Sequence, residues 1–207
     1  MNVDSDRRKA GRKAKAKDTL RSQLRETVRV TILDAAEARL SAQGLHATSL
    51  AEIAKSAGVA VGTLYNYFQD RDALVRALLE SRRGTLGPQC EAAISAGTEL
   101  PFEPRLRMFT RELFEAFERH RGYLKIMFQA EHLKSTTTKV DFFAVVGQIA
   151  EVGVAEGVIA ATSSQTFVTV FTGAIRSVLL RCLQNNRAFA EDADPICTLI
   201  LDGARRR

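Results

Sequence analysis

Residues 48–68 read Thr48-Ser49-Leu50-Ala51-Glu52-Ile53-Ala54-Lys55-Ser56-Ala57-Gly58-Val59-Ala60-Val61-Gly62-Thr63-Leu64-Tyr65-Asn66-Tyr67-Phe68. Leu50, Ile53, Ala54 and Ala57 recur at helical spacing and give a short helix one apolar face. A hydroxyl from Thr48 or Ser49 stands where it can cap that helix. Gly58 falls where the helix must stop, because glycine enters the left-handed conformation of a helix end without a steric clash. Val61, Leu64 and Phe68 then form a second apolar stripe, with Thr63, Tyr65, Asn66 and Tyr67 on the other faces. Two helices joined by so short a glycine turn make the unit that lays its second helix in a DNA major groove. Periodicity alone fits an ordinary helical hairpin equally well.

The flanks extend the pattern. Upstream, Val28, Ile32, Leu33, Ala35, Ala36 and Leu40 keep helical spacing over about residues 20–42, and Gly44 closes that helix. Packed on the two short helices, it completes a small three-helix core. Downstream, Asp70 precedes a further helix from Arg71 to about Arg83, Asp70 or Asp72 fits its cap and first turn, and Gly84, Gly87 and Pro88 break the pattern. Residues 1–83 carry 16 Lys and Arg against 10 Asp and Glu, whereas residues 84–207 carry 14 of each. The whole excess of +6 therefore lies beside the hairpin, as a surface that meets phosphates requires. Arg7, Arg8, Lys9, Arg12, Lys13, Lys15 and Lys17 crowd the first residues among almost no large apolar side chains. Such a segment is expected to be a disordered basic arm, able to lie along a DNA backbone or in a minor groove.

Ile53-Ala54, Ala57-Gly58-Val59 and the run from Gly62 to Phe68, followed by Arg71, Ala73 and Leu74, closely resemble the DNA-binding signature of the TetR/AcrR family of transcriptional regulators. Ile32-Leu33-Asp34-Ala35-Ala36, Gly44 and Thr48-Ser49 fit the same pattern, so the resemblance runs from about Arg29 to Leu74. It implies an all-α chain: an N-terminal three-helix helix-turn-helix DNA-binding domain plus a larger C-terminal helical domain for ligand binding and dimerisation. The expected divisions are residues 1–20 as the arm, 21–83 as the DNA-binding domain with its connecting helix, and 84–207 as the regulatory domain.

Reading a base edge needs donors, acceptors or a methyl-sized contact on the exposed face of the second hairpin helix. Val61, Thr63 and Asn66 are candidates, with Gly62 allowing close approach; Val61 also lies on the Leu64/Phe68 stripe and could instead face the core. Thr48 and Ser49 stand where hydroxyls and backbone N–H groups meet a phosphate. The resemblance implies that Tyr65 and Tyr67 reach phosphates or bases and that Arg71 pairs with a phosphate.

The C-terminal half reads as further helices separated by Pro101 and Pro104, Gly122, the polar run Lys134 to Thr138, and Gly157. Phe109, Phe117, His120, Tyr123, Met127, Phe128, Phe142, Phe143, Phe171 and Arg176 are candidates for lining an effector pocket, with His132 as a further polar candidate. Each could equally be plain core. Phe167 to Leu183 is apolar around much of its circumference and must bury two sides. The resemblance implies that this helix and the last one pair with their copies in a homodimer, through Phe167, Val178, Leu179, Cys182, Ile196, Leu199 and Ile200.

Cys90, Cys182 and Cys197 are odd in number and widely spaced, as reduced core-filling thiols are. No metal or cofactor site is read. Phosphate-cradling glycine loops, HExxH and nucleophile elbows are missing from the sequence, which points away from an enzyme. No uninterrupted apolar run approaches the ~18 residues of a membrane span. Without a signal-like N-terminus, a cytoplasmic location is expected. The expected function is a DNA-binding regulator, a homodimeric repressor released from a palindromic double-stranded operator by a small, partly apolar effector. A helical adaptor that binds only proteins would explain the wide apolar helices, but neither the signature nor the arm.

Overall fold

The computed structural model describes residues 3–130 and 142–204, all of its regular elements helical among the described residues. The chain divides into two compact units, residues 1–78 and 79–207.

The first unit holds α1 (Val3–Gln43), α2 (Leu50–Ser56), α3 (Val61–Tyr67) and the opening turns of α4 (Arg71–Ser95). Helix α1 starts well before the position near residue 20 that the periodicity sets, and takes in the stretch read as a disordered arm. That stretch is rich in Ala, Lys and Arg, which propagate a helix readily once docked turns have nucleated it. The docked turns are those of Ile32, Leu33, Ala36 and Leu40, all buried with Leu45, Ile53, Leu64, Phe68, Leu74 and Leu78 in one core. Helix α2 packs on both α1 and α3.

In the second unit, α5 (Phe102–Arg119), α6 (Arg121–Gln129), α7 (Phe142–Ala155), α8 (Ser164–Gln184) and α9 (Ala193–Ala204) surround a phenylalanine-rich core. Phe102 meets Phe167 edge-on at 5.7 Å, and Phe167 stacks on Phe171 at 5.8 Å. Helices α5 and α7 approach closely because position 153 is glycine: a Cβ there would lie 2.9 Å from the Phe102 ring and 3.0 Å from Ile159. The first donor of α5, the Phe102 N–H, is filled by the Glu156 carboxylate at 3.1 Å. Likewise the Phe189 N–H donates to Glu118 at 2.9 Å.

Helix α4 runs to Ser95, through the Gly84, Gly87 and Pro88 that were expected to end it near Arg83. Burial of Leu86, Cys90 and Ala93 on its C-terminal half outweighs the poor propensity of those residues. Residues 161–184 are long and apolar enough, by length and composition, to cross a membrane. A search for uninterrupted runs misses the segment because Arg176 and Arg181 lie within it. In the fold its Phe167, Phe171 and Ile175 side is buried, and α8 packs most extensively on α7. The Lys134–Thr138 loop expectation lies outside the described residues.

Candidate nucleic-acid interface and effector cavity

The hairpin is built by matched end signals. Ser49, not Thr48, is the N-cap of α2, and it forms a full capping box with Glu52. The Glu52 carboxylate accepts from the Ser49 N–H and hydroxyl, both at 2.8 Å, and this holds its pKa below the ordinary 4.5, the backbone bond contributing most. At the other end Gly58 has φ +70°, and the Gly58 and Val59 N–H groups close the helix on Lys55 and Ala54. That left-handed residue turns the chain into α3.

Leu64 and Phe68 anchor α3 in the core, which leaves its opposite side outward. Val61 is 41% exposed and Tyr65 52% exposed, so Val61 does not fill the core. Asn66 is exposed, Thr63 and Tyr67 are half-buried, and Gly62 faces open space. Six of the candidate residues thus share one short helix with an accessible face. Thr48 and Arg71 behave differently. Thr48 is 1% exposed and its hydroxyl donates inward to the Gly44 carbonyl at 3.0 Å. The Arg71 guanidinium donates to the Thr48 carbonyl at 2.7 Å. These two residues hold the entry to α2 in place, so the hydroxyl of Thr48 is not available to a phosphate.

The structure adds a row that the motif reading passed over. Arg21, Arg25 and Arg29 recur every fourth residue on α1. Arg25 lies over the Tyr67 ring at 5.8 Å and Arg29 over Phe68 at 5.9 Å. Arg21, Ser22, Leu24, Arg25, Val28 and Tyr67 line one groove, which sets basic side chains beside the end of α3. Their four-residue spacing was visible in the sequence, but only the packing of α1 on the hairpin gives it meaning.

The second unit holds a half-open cavity of about 300 Å³. Nine of the ten proposed pocket residues line it: Phe109, Phe117, Tyr123, Met127, Phe128, Phe142, Phe143, Phe171 and Arg176. His120 does not; its Nε2 lies 2.9 Å from the Gln89 amide nitrogen, at the corner between α5 and α6. His132 lies outside the described residues. Helix α4 supplies lining that sequence reading missed: Arg83, inside the expected helix, and Leu86, Gly87 and Cys90, beyond its expected end. Burial pushes the Cys90 thiol up to about 11 and raises the Tyr123 hydroxyl, which hydrogen-bonds to Arg83. Burial likewise raises the Cys182 and Cys197 thiols.

The family model described as "Bacterial regulatory proteins, tetR family" matches residues 32–78, the span from the docked turns of α1 into α4. Residues 32–78 thus match the DNA-binding segment of the tetR family of bacterial regulatory proteins. The chain is similar to the HTH-type transcriptional regulator AcrR of Shigella flexneri, at 34% identity over 108 residues, covering 50% of this chain and 49% of that one. It is also similar to the fatty acid metabolism regulator protein of Bacillus subtilis strain 168, at 38% identity over 53 residues, 26% of this chain and 27% of that one. The chain thus spans half the length or less of these curated relatives. Among solved structures, the regulator FadR of Bacillus subtilis in complex with stearoyl-CoA shares the fold, with TM-score 0.66, 20% identity, and coverage of 84% of this chain and 98% of that one.

The residues expected at a dimer contact divide by their exposure. Phe167, Leu179, Cys182 and Ile196 are buried inside the unit itself. Only Leu199, 76% exposed, stands fully outward, with Val178 and Ile200 half-buried. The most apolar face of α8 is the one its own core consumes. Its outward face carries smaller residues, Thr166, Thr169, Val170, Gly173 and Ser177, all exposed.

Proposed function

We propose that this chain is a ligand-responsive, sequence-specific DNA-binding regulator acting as a homodimeric repressor. The observation that carries the reading is α3: a helix pinned by Leu64 and Phe68 that offers Val61, Gly62, Tyr65 and Asn66 outward, on a unit with a net positive charge. Asn66 and Val61 are the base readers, through amide hydrogen bonds and methyl contact. Ser49, Thr63, Tyr65 and Tyr67 hold the backbone, and the basic residues of α1 extend that contact along the strand. Two copies read the halves of a pseudo-palindrome about one helical turn apart. The outward small-residue face of α8, with Leu199 of α9, is the surface that meets the second copy, an isologous contact.

The effector enters the apolar cavity of the second unit. Curated and structural relatives described by fatty acid metabolism and by bound stearoyl-CoA support an effector with an acyl chain. Helix α4 is continuous from Arg71 to Ser95 and carries both the tie to Thr48 and four cavity residues, so it is the element through which an effector alters DNA affinity. A coupling of a few kcal/mol suffices for release.

The test is selection of bound duplexes from a random pool, followed by fluorescence polarisation on selected and scrambled DNA. A regulator enriches a two-fold-symmetric sequence and binds it at least ~10³-fold more tightly than scrambled DNA. Equal affinity for both removes the proposal.

A further inference from the structure

The outward ridge of α3 carries one side chain that can tell base pairs apart by two bonds at once. Leu64 is the buried residue of this helix, and Gly62 and Asn66 stand two positions before and after it. Each lies about 160° round the helix from Leu64, so the two are neighbours on the side away from the core. Both are exposed. Gly62 is helical, and a Cβ built there would meet nothing within 4 Å, so no contact inside the chain requires a glycine. Its poor helix propensity leaves bare backbone on the ridge, where another molecule can approach closely. The Asn66 amide takes no hydrogen bond within the chain among the described residues. Thr63 and Tyr65 offer single hydroxyls, which give or accept at one atom and suit any base edge. An amide instead sets an acceptor and a donor side by side. In the major groove adenine answers that pair on one base, with its N6 amino group and N7. Guanine shows two acceptors, cytosine a donor, and thymine an acceptor beside a methyl group. Asparagine is also short, so both bonds need the helix backbone close to the base, and the missing side chain at 62 gives that room.

We propose that Asn66 reads one adenine in each half-site through paired bonds to N6 and N7, across the clearance that Gly62 leaves. This rests on the reading of α3 as the helix that enters a major groove, and names the base that it selects.

The full chain is titrated by fluorescence polarisation against its selected duplex and against copies changed one base pair at a time. One A·T pair per half-site should be the place where replacement weakens the parent at least ~10-fold and Asn66→Ala less than about threefold. Placing 7-deazaadenine, which lacks N7, at that position should weaken the parent by a similar factor and leave Asn66→Ala unmoved. Asn66→Arg should shift the preference there from adenine to guanine. Gly62→Ala should melt no lower than the parent, yet bind the selected duplex about tenfold more weakly, the loss of the adenine bonds. Circular dichroism melts identify any variant that fails to fold, and the 7-deazaadenine duplex tests the N7 bond on the parent chain alone. Unchanged discrimination at every position in Asn66→Ala, or an Asn66-dependent position that is a G·C pair, overturns the adenine assignment and leaves the regulator reading standing. Parental affinity in Gly62→Ala overturns the part given to Gly62. A random pool that yields no preferred sequence overturns both readings.

Discussion

The guanidinium of Arg71, at the first turn of α4, is fastened to the carbonyl oxygen of Thr48, the residue that precedes the cap of α2. The bond spans 23 positions and joins the start of the hairpin to the helix that leaves it. Arg71→Ala should therefore lower the stability of the first unit by about 1–2 kcal/mol, a charged hydrogen bond discounted for partial exposure. DNA affinity should fall with little change in its salt dependence. Polarisation titrations across a potassium chloride series read both quantities. A drop of about one in the slope of log affinity against log salt would instead place Arg71 on a phosphate.

The α1 arginines should behave in the opposite way. Arg21→Ala and Arg25→Ala are each expected to leave the melting temperature nearly unchanged and to reduce the salt slope by about 0.9. Tyr67→Phe keeps the ring beneath Arg25 and should preserve the contribution of Arg25, whereas Tyr67→Ala should weaken it. If both arginine variants retain the parental slope, the row on α1 does not touch DNA.

The capping box makes part of the hairpin's stability depend on pH. Glu52 is held below its ordinary value by the Ser49 bonds, so its contribution is complete above pH 4.5 and is lost as pH falls through the lowered value. Glu52→Gln should melt earlier than the parent at pH 7, and the gap should close in acid. Ser49→Ala removes the cap itself, at about 1 kcal/mol. A gap that widens in acid would contradict the assignment.

Two glycines of α7 give a paired test of packing. Gly147→Ala meets no atom within 4 Å and should stabilise by about 0.5–1 kcal/mol through helix propensity alone. Gly153→Ala drives a methyl into Phe102 and Ile159 and should destabilise by about 1–3 kcal/mol. Denaturant melts of the two variants should move in opposite directions.

How much of this was legible beforehand depended on whether a signal was local. Gly58, the hydroxyl pair at 48–49 and the Leu64/Phe68 stripe are local and were read directly; which hydroxyl caps the helix needed the fold. The pocket lining followed from aromatic positions on amphipathic helices, since residues on one apolar face converge wherever the helix docks. His120 misled because a helix-end histidine has no periodicity to betray its partner, here Gln89. The apolar residues of α8 were hard to place for a different reason. On α8 the apolar stripe is so wide that sequence cannot say which edge its own core takes, and hydrophobicity favours the inner edge, Phe167, Leu179 and Cys182. Leu86 and Cys90 were missed because α4 continues past Arg83, and that continuation is a tertiary effect.

The link from Glu156 to the start of α5 has a consequence for how the chain is made. The amide of Phe102 waits for a carboxylate 54 positions later, which at ~5–20 residues per second is roughly 3 to 11 s of synthesis. Until then α5 leaves the ribosome with an open end and its phenylalanines uncovered, the condition in which nascent chains associate wrongly. The helix-turn-helix, by contrast, has all its partners by Leu78. A chain truncated before residue 156 would carry a finished first unit attached to an unfinished, aggregation-prone second unit.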